Sequence, residues 1–310
     1  MMRLLWRLGL AALTTLVFTF GCAPQPSLAP LTPPISSQAA NQDTTSAAVD
    51  EHAVGAAKAP ISSATITAKP APPSYPTLRS GSTGPAVLRL QQLLAQAGYL
   101  PVTWTPNAAS ATGATPTALI ASPPSGSFKW SYTNTPSWVT SLWSAGHYTT
   151  LVQGAVMAYQ QVNHLAVDGI AGPQVWNRLL SKASLRNPYG LTYVSVRKSQ
   201  PQSLSAWWNG RLVVQTPVNT GIAQSPTVSG TYPVYLQYVS QRMSGTDPWG
   251  HYYSDPGVPY VSYFYQGEAI HGFVRSAYGY PQSLGCVELP VAKAQALWPY
   301  MHLGTLVHLS

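Results

Sequence analysis

Charged side chains and cysteine are scarce in this chain of 310 residues. Only 8% of its residues are charged, and 16 lysines and arginines against 8 acids give a formal net charge of +8. A hydrophobic content of 45% excludes disorder throughout, while 29 prolines and 18 tyrosines indicate turn-rich β structure. Lysine and arginine do not cluster with aromatics, which argues against nucleic acid, and a basic exported chain suits an anionic surface such as a cell wall. His147 and His164 lack the paired spacing of metal ligands, so neither a metal nor a cofactor is predicted.

The N-terminus lacks a hydrophobic run long enough for a permanent membrane span. Residues 1–22 contain two early arginines and an apolar run, and they end in Gly21-Cys22. This pattern is typical of a secretory signal peptide. A small residue before Cys22 resembles the lipoprotein cleavage box, although the two positions before Gly21 depart from it. We therefore expect export to the cell envelope, either with lipidation at Cys22 and attachment to a membrane, which we favour, or by plain secretion.

Large apolar side chains are nearly absent from residues 23–75, which are dominated by alanine, proline, serine and threonine. Such a segment cannot bury enough surface to offset the entropy lost on ordering. We predict a disordered tether here.

Residues 76–185 predict a small domain of three helices. The first begins at Pro85 and ends before Gly98, the second covers 150–162, and the third begins at Pro173 after a turn at Asp168-Gly169. Residues 101–148 are an insertion that we interpret as a long loop rich in serine, threonine, proline and tryptophan.

This pattern resembles the peptidoglycan-binding domain found beside many wall enzymes. The matching residues are Gly84, Val87, Leu90, Gln91, Leu94, Gly98, Tyr99, Tyr159, Gln160, Asp168, Gly169, Gly172, Val175 and Leu179. The resemblance implies binding to the cell wall. A helical spacer that binds nothing is the alternative.

From about residue 190 the hydrophobic period changes to two, which predicts a mainly β, sandwich-like domain over 190–310. Asn209-Gly210 between alternating segments is a strong hairpin signal. A helix in "LPVAKAQALWPYM" and a closing strand in "GTLVHLS" complete the predicted domain.

Cys286 is the second of the two cysteines, and His271 lies fifteen positions upstream of it. An unpaired thiol in an exported protein indicates a reactive group, because cysteines there are normally paired. A small buried apolar side chain is the alternative interpretation.

Most of residues 191–310 resembles the catalytic domain of L,D-transpeptidases, cysteine enzymes that cross-link bacterial peptidoglycan. The matching segments are "NGRLVVQTPVNTG", "SPTVSGTYPVY", "VPYVSYFYQGEAIHG" and "SLGCVELPVAKAQALWPYMHLGTLVHL". The resemblance implies that Cys286 is the nucleophile, His271 the general base and peptidoglycan stem peptides the substrate. Leu284 stands where the family often has a second histidine, and Glu288 where it commonly has asparagine or arginine.

The chemistry of a thiol explains why the two residues belong together. A thiol is mostly protonated at neutral pH, so it needs a base nearby, and we expect activity to rise as the pair reaches its thiolate–imidazolium form. Acids are few in this half of the chain, so we expect a backbone carbonyl to orient His271. Backbone N–H groups near Gly285 can bind the oxyanion. For oxyanion or substrate binding we predict Gly285, Ser283, Gly272 and Tyr263.

The expected reaction is transfer of a tetrapeptide stem through a thioester on Cys286 to an acceptor amine, which gives a 3→3 cross-link. Hydrolysis of the thioester would make the protein an L,D-carboxypeptidase. A catalytically inactive wall-binding protein and an exported cysteine protease are the other hypotheses, and the latter lacks the protease signatures around its cysteine.

Overall fold

The computed structural model describes residues 74–107 and 114–310. The predicted signal peptide at 1–22, with Cys22, and nearly all of the tether predicted at 23–75 lie outside the described residues. Within the described ranges, no helix combines the length and apolar character that crossing a membrane requires.

Helices dominate the first half of the described chain, and strands the second. The helices are α1 (Pro85–Gln96), α2 (Pro116–Ala121), α3 (Ser137–Thr140), α4 (Thr150–Val162), α5 (Pro173–Leu179) and α6 (Val291–Leu297), and a 3₁₀ turn covers Trp298–Tyr300. The strands are β1 (Val102–Pro106), β2 (Gly126–Trp130), β3 (Thr192–Arg197), β4 (Ser203–Trp208), β5 (Arg211–Pro217), β6 (Gly230–Pro233), β7 (Leu236–Thr246), β8 (Tyr252–Tyr265), β9 (Glu268–Gly272), β10 (Val287–Leu289) and β11 (Leu306–Leu309).

The three predicted helices are confirmed as α1, α4 and α5, and they share one hydrophobic core. Leu90 and Leu94 of α1 are fully buried, as are Val156 and Tyr159 of α4 and Trp176 of α5. Proline stands in the first turn of α1 and of α5, where its missing N–H costs no hydrogen bond.

The interpretation of residues 101–148 as a loop is wrong. Strands β1 and β2 pair in antiparallel register there. Helix α2 follows β1, and helix α3 follows β2. Gln91 of α1 anchors this insertion. Its side-chain amide donates to the Ser144 and His147 carbonyls and accepts from the Gly146 N–H. Gln91 is therefore fully buried on the same helix face as Val87 and Leu94, with its amide satisfied by the insertion.

The second half is a mainly β domain of two sheets, as predicted. One sheet has the strand order β5-β4-β3-β11-β6 and the other the order β10-β9-β8-β7. Apolar residues from both sheets and from α6 form one core between them, including Val194, Leu204, Ile270, Val287 and Leu297. The hairpin turn at Asn209-Gly210 is confirmed, since both residues have the positive φ of a two-residue turn between β4 and β5.

The helical half packs directly on the β half. Tyr193 of β3 and Leu306 of β11 belong to the core of the helices. Gly154 of α4 lies against the Gly304 backbone so closely that an added Cβ would stand 2.6 Å from the Gly304 carbonyl oxygen. This close packing ties α4 to the segment that leads into β11.

Strands β7 and β8 form a long hairpin whose end contains the sequence "GTDPWGHYYSDPG". Only 247–251 form its turn, in which Asp247 accepts hydrogen bonds from the Trp249 and His251 N–H groups. The paired strands put Met243 opposite Asp255. Both of these residues line the cleft described next.

Candidate active site

Strands β9 and β10 place Cys286 and His271 on the same face of a sheet. They pair in parallel, with Val287 opposite Ile270 and Glu288 opposite His271. Side chains two residues apart on a strand share a face. Cys286, directly before β10, therefore lies on the face of Glu288 and His271, while Val287 and Ile270 point into the core on the other side.

Both side chains open into one cavity of about 260 Å³. The β7–β8 hairpin contributes Met243, Tyr253 and Asp255 to its wall, and the segment between β9 and β10 contributes Arg275 and Leu284. The Cys286 thiol and the His271 imidazole thus line one cleft, which is large enough for part of a peptide substrate.

Hydrogen bonds fix residues 283–286, which contain the predicted nucleophile and are called the nucleophile loop below. The Ser283 hydroxyl donates to the Cys286 carbonyl at 2.5 Å and accepts from the Gly285 N–H at 3.2 Å. Thr227 donates to the Gly285 carbonyl at 2.7 Å. Gly285 has φ +114°, a left-handed conformation that a side chain would strain, and a Cβ there would lie 3.3 Å from Glu268. The loop conformation therefore requires glycine before the cysteine.

The two ring nitrogens of His271 have different roles: one is hydrogen-bonded to the backbone, and the other has a basic lone pair. Its Nδ1 lies 3.1 Å from the Gly272 carbonyl oxygen. Because a carbonyl can only accept, Nδ1 carries the proton and Nε2 has the basic lone pair. The expectation that a backbone carbonyl orients this histidine is confirmed. Burial lowers the pKa of His271 below its ordinary value of 6.5, which favours the neutral base.

Electrostatics at Cys286 favour the protonated thiol. Burial raises its pKa to about 12, and the carboxylates of Glu288 and Glu268 act in the same direction, against the Ala269 N–H. Burial thus opposes ionisation of the thiol, and the lowered pKa of His271 opposes protonation of the imidazole. The thiolate–imidazolium pair expected from the sequence stays a prediction.

The predicted substrate-binding residues surround this pair in different ways. Tyr263 is half-buried in a small apolar cluster that also contacts Cys286. Gly272 ends β9 and packs tightly, since a Cβ there would lie 3.1 Å from Pro259 and 3.2 Å from Ala294. Ser283 lines the cavity. The Gly285 N–H donates to Ser283 within the loop, so in this structure it is already engaged.

Two family profiles match the chain. Residues 138–179 match a peptidoglycan-binding domain, and residues 191–309 match the L,D-transpeptidase catalytic domain. Residues 191–309 form an L,D-transpeptidase catalytic domain. The peptidoglycan-binding match begins inside the predicted insertion and includes α4 and α5. The sequence resemblance drawn for residues 84–99, on and around α1, lies outside the matched range.

Several solved structures resemble the chain at low overall similarity. The NMR structure of the catalytic domain of the E. faecium L,D-transpeptidase shares 24% identity, covering 38% of this chain and 96% of that one with a TM-score of 0.35. An L,D-transpeptidase crystal structure from Xylanimonas cellulosilytica shares 26% identity, covering 78% and 100% with a TM-score of 0.33. A mutant of the Enterococcus faecium enzyme shares 20% identity, covering 41% and 52% with a TM-score of 0.36. No curated protein matches the chain.

The L,D-transpeptidase domain contains an ion pair that sequence reasoning missed. Arg275 donates to both carboxylate oxygens of Glu288, at 2.7 and 2.8 Å, and its guanidinium lies 4.7 Å from the centre of the Phe273 ring. The Glu288 side chain is 5% exposed and that of Arg275 30% exposed. Glu288 therefore depends on Arg275 for compensation of a buried charge. The sequence signal for this ion pair was a glutamate two residues after the cysteine and an arginine four residues after the histidine.

Replacing Arg275 with methionine is expected to destabilise the L,D-transpeptidase domain by about 3 kcal/mol, because it leaves the Glu288 carboxylate buried without a partner. Thermal denaturation would then show a midpoint lower by roughly 6–12 °C for a unit of this size. Arg242→Met removes an exposed arginine of β7 and should shift the midpoint little. The double variant Arg275→Met/Glu288→Met should recover most of the loss, and equal loss in the single and double variants would contradict a paired-charge role.

Proposed function

We propose that this protein is an active L,D-transpeptidase that forms 3→3 cross-links in peptidoglycan. The observation that carries the proposal is the opening of Cys286 and His271 into one cleft from the same face of β9 and β10. Peptidoglycan lies outside the cytoplasmic membrane, so we infer export. Lipid attachment through Cys22 remains a prediction from the sequence, since residues 1–22 lie outside the described ranges.

In the proposed first half-reaction, the Cys286 sulfur attacks the carbonyl that joins the third stem residue to the terminal D-Ala. Nε2 of His271 takes the thiol proton as the C–S bond forms, because the thiol is too weakly acidic to ionise alone. Backbone N–H groups of the nucleophile loop bind the oxyanion. To do so, the Gly285 N–H releases the Ser283 hydroxyl and donates to the oxyanion instead. The imidazolium then protonates the departing amine of D-Ala, and a thioester remains on Cys286.

In the second half-reaction an acceptor amine attacks the thioester carbon. Its proton passes through His271 to the departing sulfur, so the new amide and the free thiol appear together. Water in place of the amine would give a shortened stem and an L,D-carboxypeptidase. Helices α4 and α5, in the part that matches a peptidoglycan-binding domain, would hold the protein on the wall while this chemistry proceeds.

Incubating the full chain with purified disaccharide tetrapeptides and analysing the products by mass spectrometry tests the proposal. We expect a cross-linked dimer and free D-Ala, absent with Cys286→Ala. Disaccharide tripeptide without dimer would indicate the carboxypeptidase. Neither product, with binding to purified sacculi retained, would indicate the inactive wall-binding protein, for which the raised thiol pKa and Leu284 are the motivating observations.

A further inference from the structure

A second cavity adjoins the cleft that holds Cys286. It has a volume of about 320 Å³ and shares Asp255 and Phe273 with the catalytic cleft. His271 lines the catalytic cleft, and the next residue, Gly272, lines the second cavity. The two cavities therefore meet beside the proposed base, with Asp255 at their junction.

The wall of the second cavity is apolar apart from Asp255. Its other side chains come from β8, from the residues after β9 and from the start of α6, and they include Pro256, Val258, Val274 and Val291. Val274 is 81% exposed, so the cavity is open to an incoming chain. A short run of methylene groups fits such a wall, whereas a charged group would lie there only beside Asp255.

Asp255 forms no ion pair within the described residues, although its charge acts at longer range on Arg275 and His271. Its carboxylate is half-buried and accepts no hydrogen bond from the described part of the chain. Of the other charged side chains that line the two cavities, Arg275 and Glu288 satisfy each other in their ion pair. A half-buried carboxylate that forms no ion pair can bind a cationic ligand, because a charge-assisted hydrogen bond to the carboxylate is stronger than a hydrogen bond from a neutral donor.

We propose that Asp255 binds the ammonium group of the acceptor stem peptide, whose alkyl side chain lies in the second cavity. This inference rests on the proposed transpeptidase function. The ammonium releases one proton to solvent at the junction, and the resulting amine is then beside His271 and the thioester. The C–N bond forms, the C–S bond breaks, and the second amine proton passes through His271 to the Cys286 sulfur.

This placement gives Asp255 its main role in acceptor use. Donor attack uses Cys286 and His271, on which Asp255 acts only through its charge. Asp255→Asn should therefore impair transfer to an amine far more than it impairs formation of the acyl-enzyme. It should raise the acceptor concentration needed for half-maximal transfer by about tenfold, which is the ordinary value of one charge-assisted hydrogen bond.

The experiment follows the acyl-enzyme formed from a disaccharide tetrapeptide and measures its partition between hydrolysis and aminolysis. Nα-acetyl-lysine amide supplies an ammonium on an alkyl chain, and hydroxylamine supplies a nucleophile that is uncharged at neutral pH. Asp255→Asn should weaken use of the lysine amine much more than use of hydroxylamine, and Asp255→Glu should restore part of the loss with the lysine amine. Asp247→Asn removes a carboxylate from the β7–β8 turn, outside both cavities. It should change neither the use of the lysine amine nor the use of hydroxylamine.

Equal loss with both nucleophiles in Asp255→Asn would overturn the inference in favour of a structural role, and so would an unchanged response to the lysine amine. Either result leaves the proposed function standing, because wild type is acylated and transfers. A wild-type protein that forms no acyl-enzyme would overturn the proposed function and this inference together.

Discussion

A carbapenem is expected to add once to the wild-type protein and not at all to the Cys286→Ala variant. Its strained β-lactam carbonyl presents itself to the cleft as the scissile amide of the stem does, so the Cys286 sulfur should open the ring and keep the acyl group as a thioester. Intact-mass analysis after incubation with meropenem measures the adduct. Loss of the nucleophile removes the reaction completely, which makes this the largest effect expected of any substitution in the chain.

Cys22 provides the matched control, since it is the other cysteine of the sequence. Cys22→Ala should acquire the same single adduct as wild type. An adduct that persists in Cys286→Ala would show that the reactive group lies elsewhere. No adduct in folded wild type would mean that burial of the thiol, together with Leu284, has closed the site.

His271→Ala is expected to slow the same acylation by about 10²–10⁴-fold at neutral pH, the ordinary contribution of a general base. Burial lowers the pKa of His271 and raises that of Cys286 to about 12. The neutral pair is thus the reactive form over a wide range of pH. The wild-type rate should be level through neutral pH and fall only as acid protonates His271, below its ordinary pKa of 6.5.

The pH profile of His271→Ala should have a different shape. Without the imidazole only the free thiolate reacts, so its rate should rise about tenfold per pH unit towards the thiol pKa. His251→Ala, which removes an exposed histidine from the β7–β8 turn, should keep the wild-type profile. A level profile in His271→Ala, or a tenfold-per-unit slope in wild type, would contradict a base at His271.

The local rules of sequence predicted much of the framework that holds the site. Asn209-Gly210 predicted a two-residue turn because few other residue pairs adopt positive φ at both positions, and the structure has that turn. Pro85 and Pro173 predicted two helix starts for an equally local reason. The juxtaposition of Cys286 and His271 followed from a family resemblance, and the parallel register of β9 and β10 supplies its physical basis.

Features that depend on distant partners were not predictable in this way. Periodicity within α1 places Gln91 on the buried face, but it does not show that an insertion more than fifty residues away satisfies the amide. Likewise, no local pattern shows that Arg275 pairs with the buried Glu288. The expectation of a thiolate considered the His271 base alone and stays a prediction. Burial and two neighbouring carboxylates act on Cys286 only in the folded chain.

The central claim is that Cys286 becomes acylated by a peptidoglycan stem, and intact-mass spectrometry of the protein during turnover tests it most directly. With disaccharide tetrapeptide as donor, the account predicts a protein whose mass has increased by the donor less its D-Ala, with the added group on Cys286. Addition of an acceptor amine should return the protein to its original mass as the dimer appears. Dimer formation without any such species, or by Cys286→Ala, would contradict the account.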